Sequence, residues 1–479
     1  MYLGIDIGTS VTKAAVFDDE GALIAVEARR TRLDNPAPGR VEQDPEDVLD
    51  SVGAVARAAI ATAGEMPRLV GLTGQGDGVW LTGPDGRAVR PAISWMDSRA
   101  APIVRRWIAD GDVEKSFRRT GNAMFPGSAG PILAWLDAEE PASLDAADTA
   151  GYCKDAVMRR LTGVRATDAS DASLPFLDPW NRCYDAEVLE RHGLTHRTGL
   201  LAPIADPLPV GELTAEAAPL LGLPAGTPVV AGPFDLPAGA LGSGVVRPGE
   251  GHLIIGTTLA CQVLVDTVDT TGEPVGMTLA TSTPGRWLRA MPAMVGTAAL
   301  DWVLRLTGGT HDGLDGLLAA SPMGAHGVGC LPFFSPAGER APFLEPAARA
   351  SFHDLTVHSD RTDLTRATCE AVAYAARHCF EAAGLGGGVA TCGGGTRSEA
   401  WLRIFADVLG RPIRLAPQPE TGARGAVLAA RIAVGEDVDL AAWTAPVAVV
   451  EPDPDRAARY DTLYARYRSL VDTAREGWV

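Results

Sequence analysis

Tyr2-Leu3-Gly4-Ile5-Asp6-Ile7-Gly8-Thr9-Ser10-Val11-Thr12-Lys13-Ala14-Ala15-Val16-Phe17 is the stretch on which the fold turns. Residues 2–7 are apolar and β-prone, Gly8-Thr9-Ser10 has turn chemistry, and Thr12 to Phe17 reads as a second strand. Asp18-Asp19-Glu20-Gly21 is a polar turn, and Ala22-Leu23-Ile24-Ala25-Val26 is a third strand. The spacing predicts a β-meander. A helix follows, with Asp44 as N-cap, Pro45 at the first helical position and Glu46 and Asp47 in the first turn. Val48, Leu49, Val52, Val55, Ala56, Ala59 and Ile60 recur at helical spacing, and Gly64 closes it. A short strand, Leu69 to Leu72, leads into Gly74-Gln75-Gly76-Asp77-Gly78. Alternating strands and helices predict an α/β class.

The same turn chemistry returns half a chain later. His252-Leu253-Ile254-Ile255 is a strand, Gly256-Thr257-Thr258 a turn, and Leu259 to Val265 a returning strand. This predicts two related halves, 1–246 and 247–479, with the boundary near 244–251. One position differs: Ile254 stands where the first half has Asp6. Two further helices are expected, Thr362 to Ala383 and Glu399 to Leu409, closed by Gly384 and by Gly410 with Pro412. Cys392-Gly393-Gly394-Gly395-Thr396-Arg397 precedes the second of them.

The three lysines follow Thr12, Glu114 and Cys153, so no Walker-A Gly-Lys-Ser/Thr loop exists, and no GxGxxG occurs. What remains for phosphate is the pair of Gly-Thr turns, where glycine lets backbone N–H groups approach an anion and the hydroxyl adds a donor. Each could equally be a plain hairpin turn. Asp6 sits in an apolar strand, where a carboxylate is costly unless paired or beside a cation. It is a Mg²⁺ candidate or, alternatively, a strand-end aspartate bonding the turn backbone. Asp235 follows Val229-Val230-Ala231-Gly232-Pro233-Phe234, in a chain free of charge from 217 to 234. Such an isolated carboxylate can have a raised pKa and act as a general base, or it can cap a helix. Gln75, Asp77 and Trp80 offer amide, carboxylate and indole to a hydroxylated ligand, or else Trp80 belongs to the core. Trp95, Asp97 and Arg99 offer a similar set, with a surface Asp97–Arg99 pair as the plainer reading.

The net charge of −18 disfavours nucleic acid. Seven cysteines without a CxxC pair disfavour a disulfide framework or a zinc site and suit a reducing compartment. The uncharged run 217–234 carries four prolines and cannot be a membrane helix. With no signal-like segment before Gly4, a cytoplasmic protein is expected.

Gly4-Ile5-Asp6-Ile7-Gly8-Thr9-Ser10, Trp95-x-Asp97-x-Arg99, and Gly338-Glu339-Arg340-Ala341-Pro342-Phe343 through Ala350-Ser351-Phe352, followed by Gly393-Gly394-Gly395, resemble the FGGY carbohydrate kinase family over about residues 2–435. The resemblance implies two RNase H-like (actin-like ATPase) domains with ATP and substrate in a central cleft. It implies that Gly8, Thr9 and Ser10 (with Lys13) and Gly256, Thr257 and Thr258 are the phosphate turns. Gly393, Gly394 and Gly395 with Ser398 match the adenosine-side loop. Asp235 matches the general base and, with Asp6, the metal side. Gln75, Gly76, Asp77, Trp95 and Asp97 fall at sugar-pocket positions. The expected cofactors are ATP and Mg²⁺. The expected partner is a small sugar or polyol, with neither nucleic acid nor membrane, and the assembly considered is a homodimer.

Two departures stand out. Gly76-Asp77 replaces the Met-His of xylulokinase and the Arg-Glu of glycerol kinase, which removes a donor, opens space and points to a short-chain polyol or ketose such as erythritol or xylulose. Ile132 stands where the family usually has a lysine three residues before a tryptophan, here Trp135. In-line transfer of the γ-phosphoryl group of ATP to a primary hydroxyl is the expected reaction, with Thr257 on the transferring group. Metal handling should then belong to the first half, and the second turn should be a pure anion cradle. An actin-like ATPase without a sugar substrate and a catalytically dead sugar-binding module are the competing readings.

Overall fold

The computed structural model describes residues 1–417 and 420–478, in two compact units. Unit 1 is built from Met1–Gly244, Asp266–Leu288 and Glu420–Ala445, and unit 2 from Val245–Val265, Arg289–Pro419 and Pro446–Val479. The chain thus changes unit inside the expected 244–251 boundary. Two later segments, Asp266–Leu288 and Glu420–Ala445, pack with unit 1.

Unit 1 contains β1 (Tyr2–Ile7), β2 (Val11–Phe17), β3 (Leu23–Arg30), α1 (Pro45–Ala63), β4 (Val70–Gly74), α2 (Cys153–Thr162), β5 (Val210–Glu212), β6 (Pro228–Ala231) and α3 (Asp235–Gly242). Its main sheet runs β5-β6-β4-β1-β2-β3. The meander β1-β2-β3 is antiparallel, and β4 and β6 add in parallel on the other side of β1. The central strands are buried on both faces, as their unbroken apolar runs require. α1 forms as its sequence signals dictate. The Asp44 carboxylate accepts from the Glu46 N–H, and Gly64 ends the helix at φ 76°. Its inner face of Val48, Val52, Val55, Ala56 and Ala59 packs on one side of the sheet. Each such valine contributes about 1.5–3 kcal/mol when fully buried.

The other side is covered by the helix Thr421–Ala433, some 350 residues further along the chain. Ala423, Val427 and Leu428 pack with Tyr2, Ala15, Phe17 and Val230. The approach is backbone to backbone: a Cβ on Gly71 would stand 2.5 Å from the Ala426 carbonyl oxygen. This packing brings Glu420–Ala445 into unit 1.

Unit 2 contains β7 (Gly251–Ile255), β8 (Leu259–Val265), β9 (Trp287–Ala293), α4 (Thr297–Thr307), α5 (Arg361–Ala383), β10 (Val389–Cys392), α6 (Glu399–Leu409), β11 (Ile413–Leu415), β12 (Ala448–Val450) and α7 (Pro454–Gly477). These strands run β9-β8-β7-β10-β11-β12. α5 begins at a capping box of Asp360 and Asp363, and α6 at Ser398. Both end at the expected glycines, Gly384 and Gly410, in the left-handed region.

Strand register makes the internal repeat concrete. β1 pairs antiparallel with β2 and parallel with β4, and β7 does the same with β8 and β10. Asp6, next to last in β1, faces Lys13 and Thr73, whereas Ile254, next to last in β7, faces Ala260 and Cys392. The loop after β4, which carries Gln75 to Asp77, is therefore the counterpart of Gly393–Gly395 after β10.

Candidate active site

In unit 1 the end of β1 meets the start of the Thr421–Ala433 helix, and α3 packs along that helix, with its last residue, Gly242, against Thr421. Asp6 lies at the end of β1, and a Cβ on Gly422 would stand 2.5 Å from its Oδ2. Its carboxyl is half-buried. Desolvation pushes its pKa up to about 6, against the pull of Lys13. Lys13 does not neutralise it, because its Nζ lies 3.0 Å from Glu420 Oε2. Asp235 is the first residue of α3. Phe234 occupies the N-cap position, and no side-chain cap bond is made there. Of the two roles open to Asp235 in the sequence, the capping one is therefore not taken. Burial and the neighbouring Asp6 charge raise its pKa to about 7, opposed only by a hydrogen bond from the Leu236 N–H. Asp6 and Asp235 are thus two half-buried carboxylates, the first raising the pKa of the second, with Lys13 paired to Glu420.

The two Gly-Thr turns are closed alike and supported differently. Gly8 N–H donates to the Val11 carbonyl at 3.1 Å, and Gly256 N–H to the Thr258 carbonyl at 3.2 Å. In unit 1 the Thr9 hydroxyl accepts from Trp95 Nε1 and donates to Gln75 Oε1, both at 2.8 Å. Gln75 Nε2 donates to Gln43 Oε1 at 2.8 Å, and Gln43 Nε2 returns to the Thr9 carbonyl at 3.2 Å. The proton of the Thr9 hydroxyl is held by Gln75. Ser10 remains exposed. In unit 2 the side chains of Thr257 and Thr258 are exposed, and the first N–H groups of α4 hold the turn from behind. Thr297 N–H donates to the Gly256 carbonyl at 2.9 Å and Ala298 N–H to that of Thr257 at 3.2 Å. The Gly393–Gly395 loop lies against the same strand end, since a Cβ on Gly393 would stand 2.6 Å from the Ile255 carbonyl oxygen.

Several sequence-predicted residues have other work. Asp97 accepts from the Val41 N–H at 2.6 Å, the Arg99 N–H at 2.8 Å, Arg99 Nε at 2.9 Å and Arg99 Nη2 at 2.8 Å. It is buried, so its pair with Arg99 is not a surface one: Asp97 is an internal clamp between two loops. Ser398 caps α6 through the Trp401 N–H and donates to Asp315 Oδ1, which leaves its hydroxyl no proton for adenosine. Trp80 is core, and Ile132 is fully buried. Gly76 does not open space: a Cβ there would stand 2.7 Å from Phe234 Cδ2 and 3.0 Å from Leu174 Cδ1. Asp77 sits on the same loop at φ 56° and is buried.

Two residues were missed by sequence reasoning. Glu420 diverts Lys13 from Asp6, and nothing in its local sequence announces this. Glu339 accepts from the N–H groups of Met294 at 2.7 Å and Arg340 at 2.8 Å. It thereby anchors the segment leading to Gly296, whose Cβ would stand 2.5 Å from the Thr257 carbonyl oxygen. Burial pushes its pKa up to about 7. The Gly-Glu-Arg-Ala-Pro motif contained the signal, but not its connection to the second turn.

The chain is 35% identical over 500 residues to "Erythritol kinase" of Brucella abortus (strain 2308), covering 98% of this chain and 95% of that protein. It is 30% identical over 487 residues to "Xylulose kinase" of Escherichia coli (strain K12), covering 98% of each. The crystal structure of xylulose kinase from Rhodospirillum rubrum matches with a TM-score of 0.91 at 32% identity over 99% of both chains, which identifies the two units as actin-like ATPase folds. The N-terminal domain model of the FGGY family of carbohydrate kinases matches residues 1–242 and the C-terminal one residues 252–434. The chain, with its paired Gly-Thr turns and its unneutralised Asp6 and Asp235, belongs to the FGGY family of carbohydrate kinases.

Proposed function

We propose that this kinase phosphorylates a terminal hydroxyl of a short-chain polyol or ketose, with Asp235 as the general base. The family supplies the reaction class, a phosphotransferase with ATP as donor and an alcohol as acceptor. The carrying observation is the Asp235 carboxylate at the open start of α3, uncapped, desolvated and beside Asp6. The substrate hydroxyl oxygen forms the new bond to the γ-phosphorus while the bond to the ADP oxygen breaks. The hydroxyl proton passes to Asp235. Backbone N–H groups of Gly8–Ser10 and Gly256–Thr258 and the exposed hydroxyls of Ser10 and Thr257 are suited to the phosphate oxygens. Gln75 fixes Thr9 and thereby the shape of the first turn.

The uncompensated pair Asp6 and Asp235 fits Mg²⁺, which needs only one or two carboxylates when phosphates and water complete its shell. When bound, the metal supplies charge neutralisation on the phosphates. Ile254 at the equivalent place in unit 2 supports assigning this role to unit 1 alone. Among the described residues no group of three or more metal-ligating side chains occurs, consistent with an ion that arrives with its nucleotide. The likeness to an erythritol kinase supports the short-polyol reading. Residence in the cytoplasm and a homodimer belong to the same proposal, and cell fractionation and size-exclusion chromatography test them.

The deciding experiment is an ADP-release assay coupled across C3 to C6 polyols and ketoses, run with the wild type and Asp235→Asn. Acceptor-dependent ADP release, reduced about 10²–10⁴-fold in the variant, is expected. Release that ignores the acceptor would return the actin-like ATPase reading.

A further inference from the structure

Pro233 interrupts the sheet just before the base. β4 lies between β6, which leads to Asp235, and β1, which carries Asp6. β6 stays in register with β4 up to Ala231 and Leu72, and the Gly232 N–H still donates to the Leu72 carbonyl at 2.8 Å. Proline has no N–H with which to carry the ladder on. Two side-chain hydroxyls hold the next two residues instead. Thr73 Oγ1 donates to the Pro233 carbonyl at 2.7 Å, and Ser170 Oγ accepts from the Phe234 N–H at 3.1 Å. Thr73 and Ser170 are both fully buried. Ser170 is itself fixed: its N–H donates to Asp168 Oδ2 at 2.8 Å, and Asp168 is ion-paired to the buried Lys154 at 2.8 Å. Thr73 is in register with Asp6, on the same face of the sheet. One hydroxyl thus joins the neighbour of the first acid to a peptide two residues before the second.

We infer that Thr73, with Ser170, is a positioning residue for the phosphoryl transfer: its hydroxyl fixes the Pro233-Phe234 segment and so sets where the Asp235 carboxylate stands relative to Asp6 and to the acceptor hydroxyl. This rests on the reading of Asp235 as the base. Thr73 acts through Asp235, since its proton is held by the Pro233 carbonyl. The plainer role, a donor that satisfies a buried carbonyl, would serve stability and leave the chemistry alone. A base displaced by about 1 Å loses about 10²-fold in rate, so a positioning role is visible in kcat.

The test measures ADP release with the C3 to C6 acceptor that the wild type turns over fastest. It compares the wild type, Thr73→Val, Thr73→Ser, Asp235→Asn and the double variant Thr73→Val/Asp235→Asn. Valine keeps the shape of threonine and removes the donor, whereas serine keeps the hydroxyl. The expected result is a kcat about tenfold to 100-fold lower in Thr73→Val, with KM for MgATP within about threefold, and a serine variant within about threefold of the wild type. The same valine should cost less than about twofold in the Asp235→Asn background, because its loss acts through that carboxylate. If the valine variant does not fold, Ser170→Ala takes its place in the same comparison. A folded variant with kcat within about twofold of the wild type, or one whose loss persists in full in the Asp235→Asn background, overturns the positioning role and leaves the kinase reading standing. Near-wild-type turnover in Asp235→Asn overturns the base reading, and the positioning role with it.

Discussion

Asp235 and Asp6 pay an electrostatic penalty that their function explains. Both carboxyls are held above the ordinary aspartate range, to about 7 and about 6. A general base works in its ionised form, so kcat/KM should rise tenfold per pH unit below about 7 and level off above it. A profile of kcat/KM for MgATP between pH 4 and 9, at limiting MgATP where the free enzyme's groups are read, measures this, and a profile flat across that range would remove Asp235 from the role. Stability moves the other way. Because the folded pKa is raised, the folded state holds its proton where the unfolded chain, near 4, has lost it. Stability is therefore lost as pH rises from about 4 to about 7, and the loss is complete above that. Asp235→Asn should raise Tm at pH 8, with the gain shrinking toward pH 4, while turnover falls. A Tm below wild type at pH 8 would show that the carboxylate is already compensated within the protein. The identity of Asp235 as a candidate base was readable from its isolation after Gly-Pro-Phe. The Asp97 clamp was not readable, because the Val41 N–H that completes it comes from 56 residues away.

At the scale of elements, the Thr421–Ala433 helix is the part whose role depends most on packing. Its first turn presses on Asp6, so Gly422→Ala should place a methyl against the carboxylate and either shift Asp6 or lift the helix end. Turnover should fall at least tenfold with little change in Tm, whereas a residue serving packing alone would lower Tm and leave kcat intact. The segment behind Phe234 makes a second prediction. Lys154 is fully buried among Asp155, Asp168 and Asp171, at 2.7, 2.8 and 2.9 Å. Lys154→Met leaves three buried carboxylates without their cation, and removing one partner from a buried ion pair costs about 3–5 kcal/mol. Chemical denaturation should show that loss, and a change below about 1 kcal/mol would mean the carboxyls are neutral in the native state. Four helix ends were legible: Asp44, Gly64, Gly384 and Gly410 act as their residue types dictate, and the structure adds the caps Asp360 and Ser398. The Ser398 hydroxyl that caps α6 accepts from the Trp401 N–H.

Across the whole molecule, chain order and unit membership part company. Unit 1 is assembled from three segments, and the last of them covers one face of its sheet with Ala423, Val427, Leu428 and Trp443. A fragment of residues 1–244 alone would expose Tyr2, Ala15, Phe17 and Val230, so it should be aggregation-prone or molten. Tethering residues 420–445 to its end should restore cooperative unfolding, as circular dichroism and 8-anilinonaphthalene-1-sulfonate binding would report. Cooperative unfolding of the bare fragment would contradict the packing described above. Strand, turn and cap signals are local, set by neighbours two to four residues apart, and they already determined the meander, the helices closed by Gly64, Gly384 and Gly410, the paired Gly-Thr turns and the lone acids at 6 and 235. The repeat of the first turn, with Asp6 replaced by Ile254, was equally plain in the sequence. Only the tertiary structure decided that Lys13 goes to Glu420, that Thr9 goes to Gln75, and that the volume beside Gly76 belongs to Phe234 and Leu174. Those choices depend on close packing between segments tens to hundreds of residues apart, where a Cβ or a proton has room for one partner and the local sequence does not say which.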